Sequence, residues 1–258
     1  MMDRELLNRA MSKNAHVKSQ FLDLEIVKAA NVDVWVDFGC ADGEVTKAIS
    51  LKTPGKMIIG YDREPFDKWR DLANVSLRFE HNFEKIIAAI PHDAVVGVFA
   101  GSVFHEAYTD HVHPMVWEKI TMLKPSIVVV RDMMLWPEPS DPAPLINNIV
   151  KAASKNYPRH WQDFLRRWGG KSQGWWKNAL HFLLKYRYRA NWSYELREDY
   201  LVLSPQSLTR SAEEHGYFPI HMEAQSLTFL IDLWYKDLGI EIRHPTHGLL
   251  VFKNRRFA

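Results

Sequence analysis

Runs of apolar, mostly β-branched residues alternate with helix-period stretches through the first half of the chain. The runs lie within residues 34–38, 56–63, 75–83, 94–106 and 126–132. Strands separated in this way by amphipathic helices predict a parallel sheet with helices on both faces. Ahead of the first run, Val17, Phe21, Leu22, Leu24, Ile26 and Val27 predict an amphipathic helix beside the first strand, while residues 1 to 15 are polar and read as a loose helix or arm. Pro137, Pro139, Pro142 and Pro144 then rule out a regular element and mark a linker leaving the fifth strand. Beyond Pro205 the pattern predicts a helix over 207–215, a strand near 220–224, a helix around 227–238 and a last strand over 248–253.

The first run carries the sharpest signal. Val34-Trp35-Val36-Asp37-Phe38-Gly39-Cys40-Ala41-Asp42-Gly43 is a strand ending in an acid and passing through a turn of small residues into the helix begun by Glu44. A strand, a turn that lets backbone approach a ligand, and a helix N-terminus aimed at it suit a nucleotide-type cofactor. The second run ends in Asp62, where a carboxylate can accept from both hydroxyls of a ribose.

The spacing Asp37-x-Gly39-x-Ala41-x-Gly43 resembles the first motif of the class I S-adenosylmethionine-dependent methyltransferases, with Ala41 where the family has its middle glycine. The later runs fit the same pattern. Asn82 stands at the turn where the family carries an adenine-recognising Asp. Ser102-Val103-Phe104-His105-Glu106 matches the exit of the fourth strand, and Leu123-Lys124-Pro125 leads into the fifth. This resemblance, over roughly residues 30 to 133, implies a Rossmann-like α/β sheet of seven strands, mostly parallel with an antiparallel last strand. It implies S-adenosylmethionine as cofactor, held by Asp37, Gly39, Ala41 and Gly43 in the turn. Asp62 and Arg63 would follow at the second strand, Asn82 and Phe83 at the third, and Ala100 and Gly101 at the fourth. The implied organisation is an N-terminal helical segment (1–30), a core (31–133 and 204–258) and an insertion (134–203).

Composition adds bounds. At 258 residues the chain suits one α/β domain with an insertion. A single cysteine is compatible with a reducing cytoplasm, and no run of eighteen apolar residues occurs. We therefore expect a cytoplasmic protein without membrane contact. Charge is uneven: residues 151–200 hold eleven Lys/Arg against four acids, a net +7, which leaves −5 for the rest of a chain of net +2. The same stretch holds five of the ten tryptophans. It reads as a mostly helical lid. Its cations and rings suit an anionic acceptor such as a nucleotide or nucleic acid; rings at helical spacing favour the plainer reading, a lid core with a solvated outer face.

Methyl transfer requires in-line alignment and, for some acceptors, removal of a proton. His105 is the expected base, with Glu106 as its orienting partner or as the base itself. Arg131 and Asp132 either reach the acceptor or pair with one another. His244 and His247 lack a third ligand in sequence, so no metal is expected. The alternatives are a non-catalytic binding module on the same fold and a nucleotide-binding oxidoreductase.

Overall fold

Each apolar run forms a strand. These are β1 (Val34–Phe38), β2 (Met57–Tyr61), β3 (Leu77–Glu80), β4 (Val96–Gly101) and β5 (Ile127–Met133), joined later by β6 (Tyr217–Gln225) and β7 (His247–Asn254). They build one seven-stranded sheet in the order β3-β2-β1-β4-β5-β7-β6. The first five strands run parallel, and β7 pairs antiparallel with both β5 and β6. This is a computed structural model that describes residues 15–169 and 174–257; residues 1–14 of the polar arm and Lys171 of the basic stretch fall outside them.

Helices of six residues or more are α1 (Glu44–Lys52), α2 (Phe83–Ala89), α3 (Phe104–Thr109), α4 (His113–Met122), α5 (Ala143–Asn156), α6 (Pro158–Trp168), α7 (Trp175–Lys185), α8 (Pro205–Glu214) and α9 (Thr228–Leu238). Alternation along the strands divides the core between two faces of the sheet, as expected for a sheet covered on both sides. Val36, Val98 and Val130 pack under Phe104, Trp117 and Leu208 on one face. Trp35, Phe99 and Val129 pack under Phe21, Leu22 and Ile49 on the other. Strand order reverses between β1 and β4, so a crevice opens at their C-terminal ends, where ligands of open α/β sheets bind.

Two expectations change. Residues 15–28 are not one amphipathic helix but three short turns, Ala15–Lys18, Ser19–Asp23 and Glu25–Lys28, with Leu24 extended at φ −67°, ψ 128°. Phe21 and Leu22 are both buried, with Phe21 stacked on Phe99 at 4.5 Å between ring centroids, and the extended backbone at Leu24 breaks the helical run after them. The proline-rich linker also ends earlier than expected. Helix α5 starts at Ala143 with Pro144 in its first turn, where a missing N–H breaks no helical bond.

Helices α5, α6 and α7 form their own apolar cluster, including Ile149, Trp161, Phe164 and Leu183. Trp234, Leu238 and Ile242 join it, and Trp234 Nε1 donates to Leu183 O at 3.1 Å. Helix α9 therefore shares the core of the inserted helices rather than covering the sheet alone. The chain leaves and returns at one point, where Leu135 N donates to Leu203 O at 2.7 Å.

Candidate functional site

The turn after β1 is held from three sides. Gly39 N and Cys40 N both donate to Tyr61 O, at 2.8 and 2.9 Å. Ala41 N donates to Asp62 Oδ2 at 2.9 Å, and Ala41 O accepts from Trp69 Nε1 at 2.8 Å. Gly39 has φ +79°, and a Cβ there would sit 2.4 Å from Val103 Cγ2. Only glycine fits the position. Ala41 also has positive φ, +46°, so the residue replacing the middle glycine bears left-handed backbone, which costs an alanine roughly 1–2 kcal/mol. Pinning both of its backbone groups holds that conformation. Gly43, at φ +85°, caps the start of α1.

Asp37 is buried, and Thr46 Oγ1 donates to its Oδ2 at 2.7 Å. Burial pushes its carboxyl up to about 7, against the pull of the Thr46 hydrogen bond and the Lys18 charge. Asp62 is raised for the same reason, and its Oδ1 accepts a long bond, 3.4 Å, from Glu64 N. Arg63 is exposed beside it. Asn82 caps α2: its Oδ1 accepts from Glu84 N at 2.9 Å and Lys85 N at 3.3 Å, so the oxygen expected to meet an adenine amine is engaged within the chain. The Phe83 ring packs edge-on against Tyr61 at 5.4 Å. Ala100 and Gly101 are buried at the end of β4, and Gly101 lines a cleft together with Asp37, Gly39, Ala41, Asp42 and Lys18.

Lys18 was not legible as a site residue. It is 7% exposed and makes no hydrogen bond among the described residues, and burial and the Arg131 charge lower it to about 8. Arg131, opposite Gly101 in the sheet register, is 4% exposed. Its Nε donates to Gln225 Oε1 at 3.1 Å, while its Nη2 is buried without a partner. Of the two alternatives for Arg131 and Asp132, the mutual ion pair does not form among the described residues. Lys18 thus lines the cleft and Arg131 pairs in register with its wall residue Gly101, both with hydrogen-bonding capacity unspent among the described residues, an arrangement suited to an anionic group.

Asp132 instead partners His105. His105 Nδ1 lies 2.7 Å from Asp132 Oδ1, which also accepts from Met133 N at 2.7 Å. Asp132 Oδ2 accepts from Phe104 N at 2.7 Å and His105 N at 3.1 Å, tying the start of α3 to the end of β5. Burial alone would lower the imidazole, but the Asp132 charge and hydrogen bond override it and hold His105 at about 9; Asp132 is correspondingly lowered. The orienting carboxylate is therefore Asp132, not Glu106. Protein crowding and the charges of Glu198 and Asp132 push Glu106 up to about 7, although the residue as a whole is exposed.

The segment after α7 lies against this pair. Tyr200 meets the His105 ring edge-on at 5.4 Å, and Lys185 Nζ sits 4.0 Å from the centroid of the Tyr200 ring. Lys185 donates to Glu195 O and Glu198 O, and Tyr200 OH bonds Glu195. Asp199 N donates to Thr109 Oγ1, which in turn donates to His105 O at 2.8 Å. Acidic groups, Glu106 and Glu198, therefore stand beside His105. The basic residues do not. Lys177 pairs with Asp199 at 2.8 Å and Lys185 is spent on carbonyls, whereas Lys151, Lys155, Arg159, Arg166, Arg167, Arg187, Arg189 and Arg197 are exposed. Among the described residues, eight of the insertion's ten cations are exposed, and most of its tryptophans and leucines take the interior, which favours the reading of a lid with a charged outer face.

No family model and no curated protein matches the chain. Solved structures do. The mitomycin 7-O-methyltransferase MmcR aligns with a TM-score of 0.54 at 14% identity, over 97% of this chain and 57% of MmcR. The riboflavin-derivative dimethyltransferase RosA of Streptomyces davawensis aligns at 0.53 and 8% identity, over 97% and 58%. A 1,6-didemethyltoxoflavin N1-methyltransferase of Burkholderia thailandensis, solved with its substrate and S-adenosylhomocysteine, aligns at 0.51 and 11% identity, over 93% and 78%. The chain spans little more than half the length of the first two. Among the described residues, no helix is long and apolar enough to cross a membrane. Strand order, the antiparallel seventh strand and these likenesses agree: the chain has the fold of the class I S-adenosylmethionine-dependent methyltransferases.

Proposed function

We propose that this protein transfers a methyl group from S-adenosylmethionine to an oxygen or nitrogen of a small acceptor. The observation that carries the reading is the shared strand end. The cleft between the Asp37–Gly43 turn and Gly101 opens at β4, and three residues past Gly101 α3 begins, with buried His105 in its first turn paired to Asp132 of β5. The residues fit the cofactor. Gly39 at φ +79° lets the turn form tightly, Asp62 Oδ1 would accept a ribose hydroxyl, and Lys18, with the Arg131 Nη2 that has no partner among the described residues, suits the carboxylate of the amino-acid end. The bound cofactor supplies an electrophilic methyl carried on a sulfonium.

The chain's own residues do the rest. The turn and the two cations fix one end of the reaction line, and Tyr200 with the Glu195–Asp199 segment covers the other and limits water access. The acceptor would have to give up a proton as it takes the methyl group. His105 Nε2 would accept it from the neutral ring, Nδ1 being held by Asp132; because the ring is held at about 9, that base is populated as pH rises toward 9, and turnover should rise with it. With Glu106 and Glu198 alongside, the site favours neutral or cationic acceptors over polyanions.

An acceptor screen that reads S-adenosylhomocysteine release tests this. Hydroxy- and amino-bearing small molecules are expected to turn over, with little dependence on salt. Turnover restricted to nucleotides and oligonucleotides and falling steeply with salt would overturn the acceptor class. Cofactor binding without turnover on any acceptor would make the protein a binding module.

A further inference from the structure

The insertion brings Glu198 to the His105–Glu106 pair, a meeting that no sequence spacing announces. One ligand atom from each of the three lies within 4.8 Å of the others. Donors of an octahedral ion sit about 3.0 Å apart when adjacent and about 4.2 Å when opposite, at bonds of about 2.1 Å, so rotamer shifts of the two glutamates must draw these three together by up to about 2 Å to share one ion. Carboxylate clusters are common without ions, but the histidine here is different. It is 4% exposed, its Nδ1 is bonded to Asp132, and its Nε2 has no partner among the described residues. A carboxylate behind an imidazole is the arrangement that fixes a metal-binding ring and raises its basicity.

We infer that His105, Glu106 and Glu198 form a binding site for a divalent first-row cation at the mouth of the acceptor pocket. One imidazole and two carboxylates suit Mn²⁺, Fe²⁺ or Zn²⁺ and leave coordination positions open. The exposed surface of Glu106 provides the entry path. Binding an ion here does not depend on the methyl-transfer reading. Its use does: an ion on these groups grips the acceptor's heteroatom directly, and it stands where His105 Nε2 would otherwise hold the proton.

The test is a titration of chelator-treated full-length protein with Mn²⁺, reading free ion by electron paramagnetic resonance. Separate calorimetry with S-adenosylmethionine reports on the cofactor site. Wild type is expected to bind one Mn²⁺ per chain. Glu198→Gln, a half-exposed position that the fold tolerates, should weaken it at least about tenfold, and Asp132→Asn about 10–100-fold, because it supports the ring from behind. No binding to wild type up to millimolar Mn²⁺, or equal binding by wild type and Glu198→Gln, overturns the inference. Cofactor binding without Mn²⁺ binding fails the ion site alone, and Mn²⁺ binding without cofactor binding fails the methyl-transfer reading alone.

Discussion

Replacing Asp132 by asparagine isolates the interaction on which the chemistry turns. In the wild type each carboxylate oxygen accepts two hydrogen bonds: Phe104 N and His105 N at one, His105 Nδ1 and Met133 N at the other. Asparagine keeps one acceptor. If its oxygen stays with the two helix amides, its NH₂ faces His105 Nδ1, which must then accept, and the ring's proton moves to Nε2. A ring in that tautomer cannot take a proton from the acceptor, so turnover should fall by about 10²–10⁴. The Asp132 side chain does not line the cofactor cleft, so cofactor affinity should stay within about threefold. In the wild type the imidazole is raised from 6.5 to about 9, which corresponds to about 3 kcal/mol of stabilisation of the charged ring. A raised histidine contributes its stability in full below about 6.5 and loses it as pH climbs to about 9. The stability gap between wild type and D132N should therefore be widest near pH 6 and narrow toward pH 9. It should not close, because the lost Met133 N bond remains. Imidazole NMR follows the titration of His105 directly, and denaturant unfolding at several pH values follows the gap. A D132N ring that still titrates near 9, or turnover within fivefold of wild type, would refute the reasoning.

Other consequences follow from the turn and the cations. Asp62→Ala should weaken S-adenosylmethionine binding by about 1–3 kcal/mol in calorimetry, through the lost ribose acceptor and the released Ala41 amide. Gly39→Ala combines φ +79° with a contact 2.4 Å from Val103, and should lower unfolding free energy by about 1–3 kcal/mol. Ala41→Gly relieves a left-handed alanine, and its stability in denaturant should match or exceed wild type by up to about 1 kcal/mol. Lys18→Met should raise stability at neutral pH while weakening cofactor binding. Because its folded value of about 8 lies below the unfolded 10.5, that stability gain should be full below pH 8 and vanish by about 10.5.

The sequence carried the sheet because strands buried on both faces are written as apolar runs, and β1 to β5 fell where those runs lie. Asp37, Gly39 and Asp62 were legible for a related reason: a strand, its turn and the acid of the next strand are local features repeated at fixed offsets. What sequence could not show are meetings across the fold. Asp132 finds His105 because β5 lies beside β4 in register, and Lys18 reaches the cleft from a tightly wound segment whose periodicity suggested one plain helix. Glu198 arrives from the far end of the insertion, and nothing in its neighbourhood marks it. Charge counts, such as the +7 of residues 151–200, give the sign of a segment but not its facing. Helix α6 buries Trp161, Phe164 and Trp168 and leaves Arg159, Arg166 and Arg167 exposed, whereas α7 is buried almost throughout, Lys177 and Lys185 included. Asn82 held an acceptor at the expected turn, yet capping α2 uses it first.

Calorimetric titration of the purified chain with S-adenosylmethionine and S-adenosylhomocysteine tests the central claim most directly. One site per chain of micromolar affinity for both, weakened by Asp62→Ala and by Lys18→Met, is the result expected from the turn and the two buried cations. Absence of heat and of binding for either ligand to the folded wild-type protein would contradict the account.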